Sequence, residues 1–381
     1  MEKIGHRKIC VVTQPLPRRV GSNVLVVDLL KVLEPLAKEI FVVSGNFPEN
    51  TFSNKIHVWN ISNVETKQSM FIRTLKYFLE QVKIAVKIVQ LPKDVNCVLF
   101  YIGAKPYIFA HCIAKLLRKK TIVIVTGSAA DARNIYGGII FPAIMISLEK
   151  LAYSLADRVM VESKSMIHPL GLKRYEKKIV LSGCFFNTTL FKLEKSESQR
   201  MESIGYVGRL SEEKGIMNFV GAIPLILKKR EDINFIIVGD GQLRTRIEEL
   251  LISQQLSDKV KLIGWIQRDQ LVHYYNEIKL LVVPSYFESI PIVALEAMAC
   301  GTPVLATPVG GVPDVIIDRE NGFILKNNEM DTIANTIVGL ISCSDLENVS
   351  KSAYASIVNG YTFSAATEKY RIMFNGILGG E

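Results

Sequence analysis

Two cations in the second half of the sequence have a type and spacing that suit binding of an anion. Arg209 and Lys214 flank a short loop between a predicted strand and a predicted helix. Ligands of α/β sheets lie at strand ends, and two cations beside a helix N-terminus suit a diphosphate. Glu212 and Glu213 lie in the same loop. Simple pairing of solvated charges therefore remains an open alternative for this segment taken alone.

Glu288 and Glu296, eight positions apart, form a second charged pair. We predict that Glu288 closes a buried strand and that Glu296 lies a little over two helical turns later. A carboxylate accepts two hydrogen bonds at once, so Glu288 suits sugar hydroxyls and Glu296 suits the vicinal hydroxyls of a ribose. The alternative, two ordinary helix residues, is weakened because Glu296 stands in an apolar run where a carboxylate needs a partner. The intervening turn and helix start, formed by Ser289, Ile290, Pro291 and Ile292, are predicted to direct backbone N–H groups at the same site.

The elements that must position these residues are short Val- and Ile-rich runs separated by amphipathic stretches. The predicted strands cover residues 8–13, 40–44, 97–101, 121–126, 158–162, 203–208, 234–239, 260–263, 279–284 and 303–307. Runs without polar alternation are typical of strands buried on both faces of a parallel sheet. Strand–helix alternation throughout predicts an α/β fold of two Rossmann-like, doubly wound domains facing a cleft.

Length and composition agree with a two-domain globular protein. The chain has 381 residues, and a polar run places the predicted domain boundary near residues 193–201. The net charge of +9 favours anionic partners without choosing among them. No Cys-x-x-Cys pair occurs, which argues against a zinc site. We find no signal peptide and no apolar run long enough to span a membrane, and expect a cytoplasmic protein.

Both charged segments resemble the signature of glycosyltransferase family 4, whose members have the GT-B fold. Several short motifs carry the resemblance: the two glutamates, the following Met298-Ala299-Cys300-Gly301-Thr302-Pro303-Val304, Gly310-Gly311, Val238-Gly239-Asp240-Gly241, Gly264 and Asn321-Gly322-Phe323. The resemblance runs through roughly residues 203–325. It is specific as an ensemble, whereas each short piece alone is not.

The resemblance implies a retaining, metal-independent transfer of a sugar from a nucleotide-sugar donor of the UDP or GDP type. The acceptor would be a glycan, a lipid-linked compound or another hydroxyl compound. Implied catalytic residues are Arg209 and Lys214, on the donor diphosphate, and Glu288, on the transferred sugar. Implied donor-binding residues are Gly208, Gly239, Gly264, Trp265, Ile266, Ser289, Ile290, Pro291, Ile292 and Glu296. No cofactor and no nucleic acid are expected, and the sequence contains no Asp-x-Asp triplet.

The resemblance also implies roles for the domains. Residues 1–193 would form the acceptor-side domain, residues 201–360 the donor-binding domain, and residues 361–381 a helix crossing back to the first. Gly21 and Thr126 are the acceptor-side candidates. Gly21 matches the glycine-rich loop of the family only in part, and a helix N-cap there is an open alternative. Thr126 stands where many relatives carry His, so no acceptor-side His is predicted. Ser289 stands where the family often has Gly, and the transferred sugar is not predicted.

The segment 67–93 suggests a membrane surface as a further partner. Phe71, Leu75, Phe78, Val82, Val86 and Val89 recur at helical spacing, and Arg73, Lys76, Glu80, Lys83 and Lys87 follow the same steps on the opposite face. A basic amphipathic helix of this kind can lie in an anionic lipid interface, which would make the protein peripheral on the inner face of a membrane. The alternative is an ordinary helix whose apolar face packs on the sheet.

Three other classes of protein remain as rivals. Val238-Gly239-Asp240-Gly241-Gln242-Leu243-Arg244 begins like a dinucleotide fingerprint, although Arg244 occupies the position of its third glycine. An NAD-dependent enzyme, a sugar-nucleotide-modifying enzyme such as an epimerase, and a non-catalytic membrane-surface binding protein are thus alternatives, because fold does not fix function.

Overall fold

The computed structural model describes residues 7–15, 24–47, 53–61, 70–126, 140–343 and 345–378. The chain divides into two compact units, residues 1–185 with 363–381 and residues 186–362. The boundary between the two units, at residue 186, lies before the polar run at 193–201 where the sequence predicted it. The segment that contains this run already packs within the second unit. The Asn276 amide oxygen accepts the Glu194 N–H at 2.8 Å, and the Phe186 N–H donates to the Tyr361 carbonyl at 3.3 Å.

The first unit is built on a parallel sheet of seven strands among the described residues. These are β1 (Lys8–Val12), β2 (Glu39–Ser44), β3 (Ile56–Asn60), β4 (Val95–Phe100), β5 (Lys120–Val125), β6 (Arg158–Val161) and β7 (Ile179–Leu181). Their order is β3-β2-β1-β4-β5-β6-β7, with parallel pairing throughout. The helices between them are α1 (Val24–Leu33), α2 (Met70–Val89), α3 (Ile108–Leu116) and α4 (Ile140–Leu155).

The second unit repeats the same plan with six parallel strands in its described residues. These are β8 (Ser203–Val207), β9 (Asn234–Val238), β10 (Val260–Gly264), β11 (Leu280–Val283), β12 (Val304–Ala306) and β13 (Phe323–Ile324). Its helices are α5 (Ile216–Leu227), α6 (Arg244–Ser253), α7 (Leu271–Glu277), α8 (Ile292–Ala299), α9 (Val312–Val315), α10 (Met330–Ile341) and α11 (Leu346–Gly360). The order β10-β9-β8-β11-β12-β13 reverses direction between β8 and β11. Such a reversal is where doubly wound sheets bind ligands.

The last helix, α12 (Phe363–Leu378), belongs to the first unit. Its buried Tyr370 and Phe374 share an apolar cluster with residues of α1 and of the seven-stranded sheet. The Thr367 hydroxyl donates to the Val32 carbonyl at 3.2 Å, and Arg7 donates to the Asn375 amide oxygen at 3.1 Å. The chain therefore closes the core of its first unit with its final helix.

Helix α2 has two apolar faces, and only one of them packs in the unit among the side chains that the structure describes, those of residues 76–89. Ile84 and Ile88 are fully buried, and the Tyr77 hydroxyl donates to the Pro106 carbonyl at 2.6 Å. The other face carries side chains that are 47–57% exposed, namely Phe78, Val82, Val86 and Val89. The alternative in which this face packs on the sheet is therefore wrong for these four side chains. Lys67 and the side chains of Phe71, Arg73 and Leu75 lie outside what the structure describes.

The predicted fold class is confirmed, because both units are doubly wound parallel sheets of the Rossmann kind. The sequence prediction missed β3, β7 and β13. The first two are edge strands with half-exposed residues, and the third is two residues long. None of the helices in the described stretches is both long and apolar enough to cross a bilayer.

Candidate functional site

The candidate site lies at the carboxyl edge of the six-stranded sheet, where the strand order reverses between β8 and β11. Gly208 and Arg209 follow β8, and Pro284 and Ser285 follow β11. Because β8 and β11 are adjacent and parallel, the two loops that follow them emerge side by side. The sequence singled out both loops, and the structure brings them together.

A glycine lets the two loops pack against each other. Gly215 has φ +67°, and a Cβ there would lie 1.9 Å from the Pro284 carbonyl oxygen. The Tyr286 N–H also donates to the Glu213 carbonyl at 3.0 Å. A side chain at position 215 would therefore push apart the loops that carry Lys214 and Glu288.

The centre of the site is an ion pair between the two loops. The Lys214 Nζ lies 2.8 Å from Glu288 Oε1, and the Ser285 hydroxyl donates to the same oxygen at 2.7 Å. Glu288 is only 7% exposed, and a buried carboxylate requires such partners. Glu288 lies beyond the end of β11 at Val283, so the prediction that it closes the strand is corrected. The loop, rather than the strand, supplies this carboxylate.

Two consecutive glycines fix the backbone of Glu288. The Gly311 N–H donates to the Glu288 carbonyl at 3.0 Å. Gly310 has φ +55°, and a Cβ there would lie 1.6 Å from the same carbonyl oxygen. The Gly310-Gly311 pair noted in the sequence thus supports the loop that carries the buried glutamate.

Arg209 differs from Lys214 in its surroundings. Its side chain is 71% exposed, and its closest carboxylate, Glu213 Oε1, lies 3.4 Å away. The Ser211 hydroxyl donates to that same Glu213 oxygen at 2.7 Å. An exposed pair with this geometry is weak, so Arg209 is available to a ligand at little cost.

Glu296 lies on α8 with its side chain almost wholly buried. Arg268 Nε lies 2.7 Å from Glu296 Oε1, and the Tyr275 hydroxyl donates to Oε2 at 3.0 Å. The sequence predicts a partner for this carboxylate but identifies neither Arg268 nor Tyr275. The signal was the apolar setting of Glu296, which demands donors from elsewhere in the chain.

The turn before α8 provides fewer donors than expected. Pro291 has no N–H, and the Ile292 N–H already donates to the Ile290 carbonyl at 2.9 Å. Ser289 and Ile290 are thus the two positions of the predicted four whose N–H groups suit a ligand.

The other candidate residues that follow strands form a line along the sheet edge. The Gly208 N–H donates to the Val238 carbonyl at 3.0 Å, and the Gly239 N–H donates to the Gly264 carbonyl at 2.8 Å. A Cβ on Gly239 would lie 1.9 Å from the Gly208 carbonyl oxygen. Gly239 thus allows the ends of β8 and β9 to approach closely.

Beyond β10, Trp265 is exposed and Ile266 is half-buried. Both follow Gly264 at the edge where the three glycines lie. Gly264 itself is the last residue of β10, and every other predicted donor-binding residue lies in a loop after β8, β9, β10 or β11, or on α8.

The structure describes one of the two acceptor-side candidates. Gly21 lies outside the described residues, and Thr126 directly follows β5, where it is half-buried. Glu162, directly after β6, is partly buried at the same edge of this sheet. Burial raises the pKa of Glu162 to about 7.

The segment that begins like a dinucleotide fingerprint has a different structural use. Helix α6 begins at Arg244, whose Nε lies 2.8 Å from Glu248 Oε1 one turn later. A Cβ on Gly241 would lie 2.4 Å from the Leu210 carbonyl oxygen, and the Leu243 N–H donates to that carbonyl at 3.1 Å. Gly241 thus permits contact with the loop after β8.

The chain is similar to known glycosyltransferases in sequence and in fold. Residues 189–355 match the sequence model of the family described as Glycosyl transferases group 1. An uncharacterized glycosyltransferase of Methanocaldococcus jannaschii is 26% identical over 333 residues, which are 86% of each chain.

Two solved structures share the fold. Sucrose-phosphate synthase from Thermosynechococcus elongatus has a TM-score of 0.77 at 21% identity, covering 99% of this chain and 100% of that one. The Anabaena protein HepE, in complex with UDP, has a TM-score of 0.73 at 16% identity, covering 97% and 100%. These findings do not favour the dehydrogenase, epimerase and binding-protein alternatives. The chain is therefore a glycosyltransferase with the GT-B fold, and its residues 189–355 match the model of the family described as Glycosyl transferases group 1.

Proposed function

We propose that the second unit binds a nucleoside-diphosphate sugar at the carboxyl edge of its sheet. Arg209 and Lys214 bind the diphosphate, Glu288 the transferred sugar and Glu296 the ribose. The observation that carries this proposal is the contact of Lys214 with Glu288 at 2.8 Å, where the strand order reverses. This contact supports the proposal because a cation suited to the leaving group lies directly beside a carboxylate suited to sugar hydroxyls. UDP bound to the HepE protein of the same fold supports a nucleotide ligand.

The two cations act differently in this proposal. Negative charge grows on the leaving diphosphate as the bond to the sugar breaks, and fixed cations stabilise that state more than they stabilise the intact donor. Lys214 is held in place by Glu288, so its orientation costs little at the moment of reaction. Arg209 is exposed and offers a planar fork to phosphate oxygens. The reaction retains the configuration of the sugar and needs no metal ion.

A thermal-shift screen tests donor binding. UDP, GDP, ADP and their glucose derivatives are each added to the intact chain, and one nucleotide is expected to raise the Tm by mass action. The Arg209→Ala variant should lose most of that rise, whereas Arg246→Ala, which replaces another exposed arginine of the unit, should keep it. If no nucleoside diphosphate raises the Tm of the native chain at millimolar concentration, the donor site is refuted.

Metal independence has a separate test. Release of nucleoside diphosphate from the preferred donor is measured with and without EDTA. The proposal predicts equal rates in both conditions. A rate that disappears in EDTA and returns with Mg²⁺ or Mn²⁺ would contradict it.

We further propose that the acceptor is lipid-linked and that the exposed face of α2 lies on an anionic membrane surface. That face consists of Phe78, Val82, Val86 and Val89. The exposed Phe109 of α3 extends it, since the rings of Phe78 and Phe109 lie 6.2 Å apart. Contiguous exposed apolar side chains on two neighbouring helices are a recognised mark of an interaction surface.

The charges around this face suit anionic lipid. Lys83 and Lys87 lie along α2, and Arg118 and Lys120 follow α3. Lys87 is positioned over the ring of Trp59 at 5.3 Å, while Lys83 reaches the Ile61 carbonyl at 3.4 Å. Each cation near an anionic leaflet adds about 1 kcal/mol of binding free energy.

Vesicle flotation distinguishes this surface from an ordinary solvated helix. The native chain is expected to float with vesicles containing phosphatidylserine at low salt, and less so as salt screens the charges. Val82→Ser with Val86→Ser should abolish flotation without unfolding the chain, since both positions are about half exposed. Ile252→Ser, at an exposed apolar position of the second unit, is the matched control. A native chain that stays with the soluble fraction at low salt would exclude the membrane surface.

A further inference from the structure

Glu296 is held from two sides by residues that come from a different helix and loop. Its Oε1 accepts from Arg268 Nε at 2.7 Å, and its Oε2 accepts from the Tyr275 hydroxyl at 3.0 Å. Arg268 lies in the loop before α7, and Tyr275 lies on α7. A carboxylate can accept about four hydrogen bonds, so one held by the protein can also accept from a ligand.

Tyr275 is suited to act as a permanent donor in this arrangement. Its side chain is fully buried. Burial and the adjacent Glu296 carboxylate hold the pKa of the Tyr275 phenol well above its usual value, so the phenol keeps its proton near neutral pH. The side chain therefore binds one fixed oxygen of Glu296 rather than exchanging with solvent.

The backbone of Tyr275 is fixed as firmly as its hydroxyl. Its carbonyl accepts from Arg200 Nη1 at 2.8 Å and from the Thr302 hydroxyl. Arg200, which is almost fully buried, also donates to the Cys300 carbonyl directly after α8. The same guanidinium thus links α7, which carries Tyr275, to the end of α8, which carries Glu296.

Arg268 is also supported from outside the pair. Its guanidinium lies over the ring of the buried Phe191 at 5.4 Å, and Phe191 in turn contacts the ring of Tyr275 at 6.0 Å between centroids. A planar guanidinium stacked on an aromatic ring has a fixed orientation, which a lysine would not reproduce.

We propose that Arg268 and Tyr275 are positioning residues that orient the Glu296 carboxylate towards the two hydroxyls of the donor ribose. This inference rests on the proposed function, in which Glu296 binds the ribose. Neither residue needs to touch the nucleotide. Their contribution is to reduce the freedom of the carboxylate before the ligand arrives, which lowers the cost of binding.

A comparison of ribose with 2′-deoxyribose tests this inference. Dissociation constants for UDP and 2′-deoxy-UDP, and for GDP and 2′-deoxy-GDP, are measured by titration calorimetry on the full chain. A hydrogen bond to a charged acceptor predicts that the native chain prefers the ribose form of its nucleotide by about 10-fold or more. Tyr275→Phe and Arg268→Gln should each reduce this preference by about 3-fold or more. Arg268→Lys should restore it only in part.

The preference, rather than affinity alone, separates positioning from a merely structural role. A variant that only loosens the fold weakens binding of the ribose and 2′-deoxyribose nucleotides equally. The ratio of their two dissociation constants then stays at the native value. The positioning inference would be overturned if Tyr275→Phe and Arg268→Gln both kept the native preference while Glu296→Gln lost it. The proposed donor site would still stand in that case. A Glu296→Gln variant that keeps the native preference would instead refute the ribose assignment itself.

Discussion

Arg209 and Lys214 should behave differently when each is replaced by Ala, although both are proposed to bind the same diphosphate. Arg209 is 71% exposed, with a carboxylate contact of 3.4 Å. Exposed pairs of this kind contribute about 0.2–1 kcal/mol, so Arg209→Ala should leave the free energy of unfolding nearly unchanged. Its effect should appear in catalysis alone.

Lys214→Ala should lower both activity and stability. Its partner Glu288 is 7% exposed, and the variant would leave that carboxylate with the Ser285 hydroxyl but without its cation. Loss of one partner costs about 3–5 kcal/mol for a fully buried pair and under about 1 kcal/mol for an exposed one. For this partly buried pair we expect Lys214→Ala to lower the free energy of unfolding by about 1–2 kcal/mol. The double variant Lys214→Ala with Glu288→Gln should recover most of that loss.

The assay combines urea unfolding with steady-state release of nucleoside diphosphate from the preferred donor. Removing one group that stabilises charge in the transition state costs about 100- to 1,000-fold in kcat, and both single variants should fall in that range. Arg246→Ala is the matched control, because Arg246 is similarly exposed, at 64%, and has a weak contact with Glu212 at 3.8 Å. Native-like turnover in Arg209→Ala, or a loss of the same size in Arg246→Ala, would refute the diphosphate assignment.

Four further substitutions have separate outcomes. Glu288→Gln should mainly lower kcat, whereas Glu296→Gln should mainly weaken nucleotide affinity. A Glu296→Gln variant that binds the sugar-free nucleoside diphosphate as tightly as the native chain would contradict these separate roles. Gly310→Ala should unfold at lower urea and lose turnover because its Cβ would meet the Glu288 carbonyl, whereas Gly339→Ala, with open space around its Cβ, should do neither. Burial raises the pKa of Glu162 to about 7 in the folded chain. The unfolded chain releases this proton from about pH 4.5 upwards, so the free energy of unfolding falls as pH rises from about 4.5 to about 7. Glu162→Gln should therefore be more stable than the native chain at pH 8, by up to about 3 kcal/mol, and equal to it at pH 4 in urea unfolding.

The strand-end charges could be predicted because parallel sheets obey a simple geometric rule. Arg209 and Glu288 each follow a Val- and Ile-rich run, and the carboxyl ends of such runs meet at one edge. The helical spacing of Glu296 then placed a carboxylate on the next helix. What the sequence could not reveal is that Glu288 pairs with Lys214, since that contact joins residues 74 positions apart.

Partners of Glu296 escaped prediction for the same reason. Arg268 and Tyr275 lie 28 and 21 positions away, and neither belongs to a short motif. The apolar setting of Glu296 showed only that some donor was required.

Helix α2 illustrates a different limit. Its sequence has apolar residues on two faces, one with Tyr77, Ile84 and Ile88 and the other with Phe78 and Val82. Periodicity alone cannot tell which face packs and which remains exposed. The structure decides this, because Ile84 and Ile88 are buried in the unit while Phe78 and Val82 are not.

The most direct test of the donor assignment is turnover of the donor itself. Purified chain is incubated with UDP-, GDP- and ADP-sugars, with and without a membrane extract as the source of acceptor, and free nucleoside diphosphate is quantified by chromatography. The account predicts release from one class of donor, stimulation by the extract, and loss of about 100-fold or more of the rate in Arg209→Ala. Absence of release from every nucleotide sugar, or undiminished release by Arg209→Ala, would contradict it.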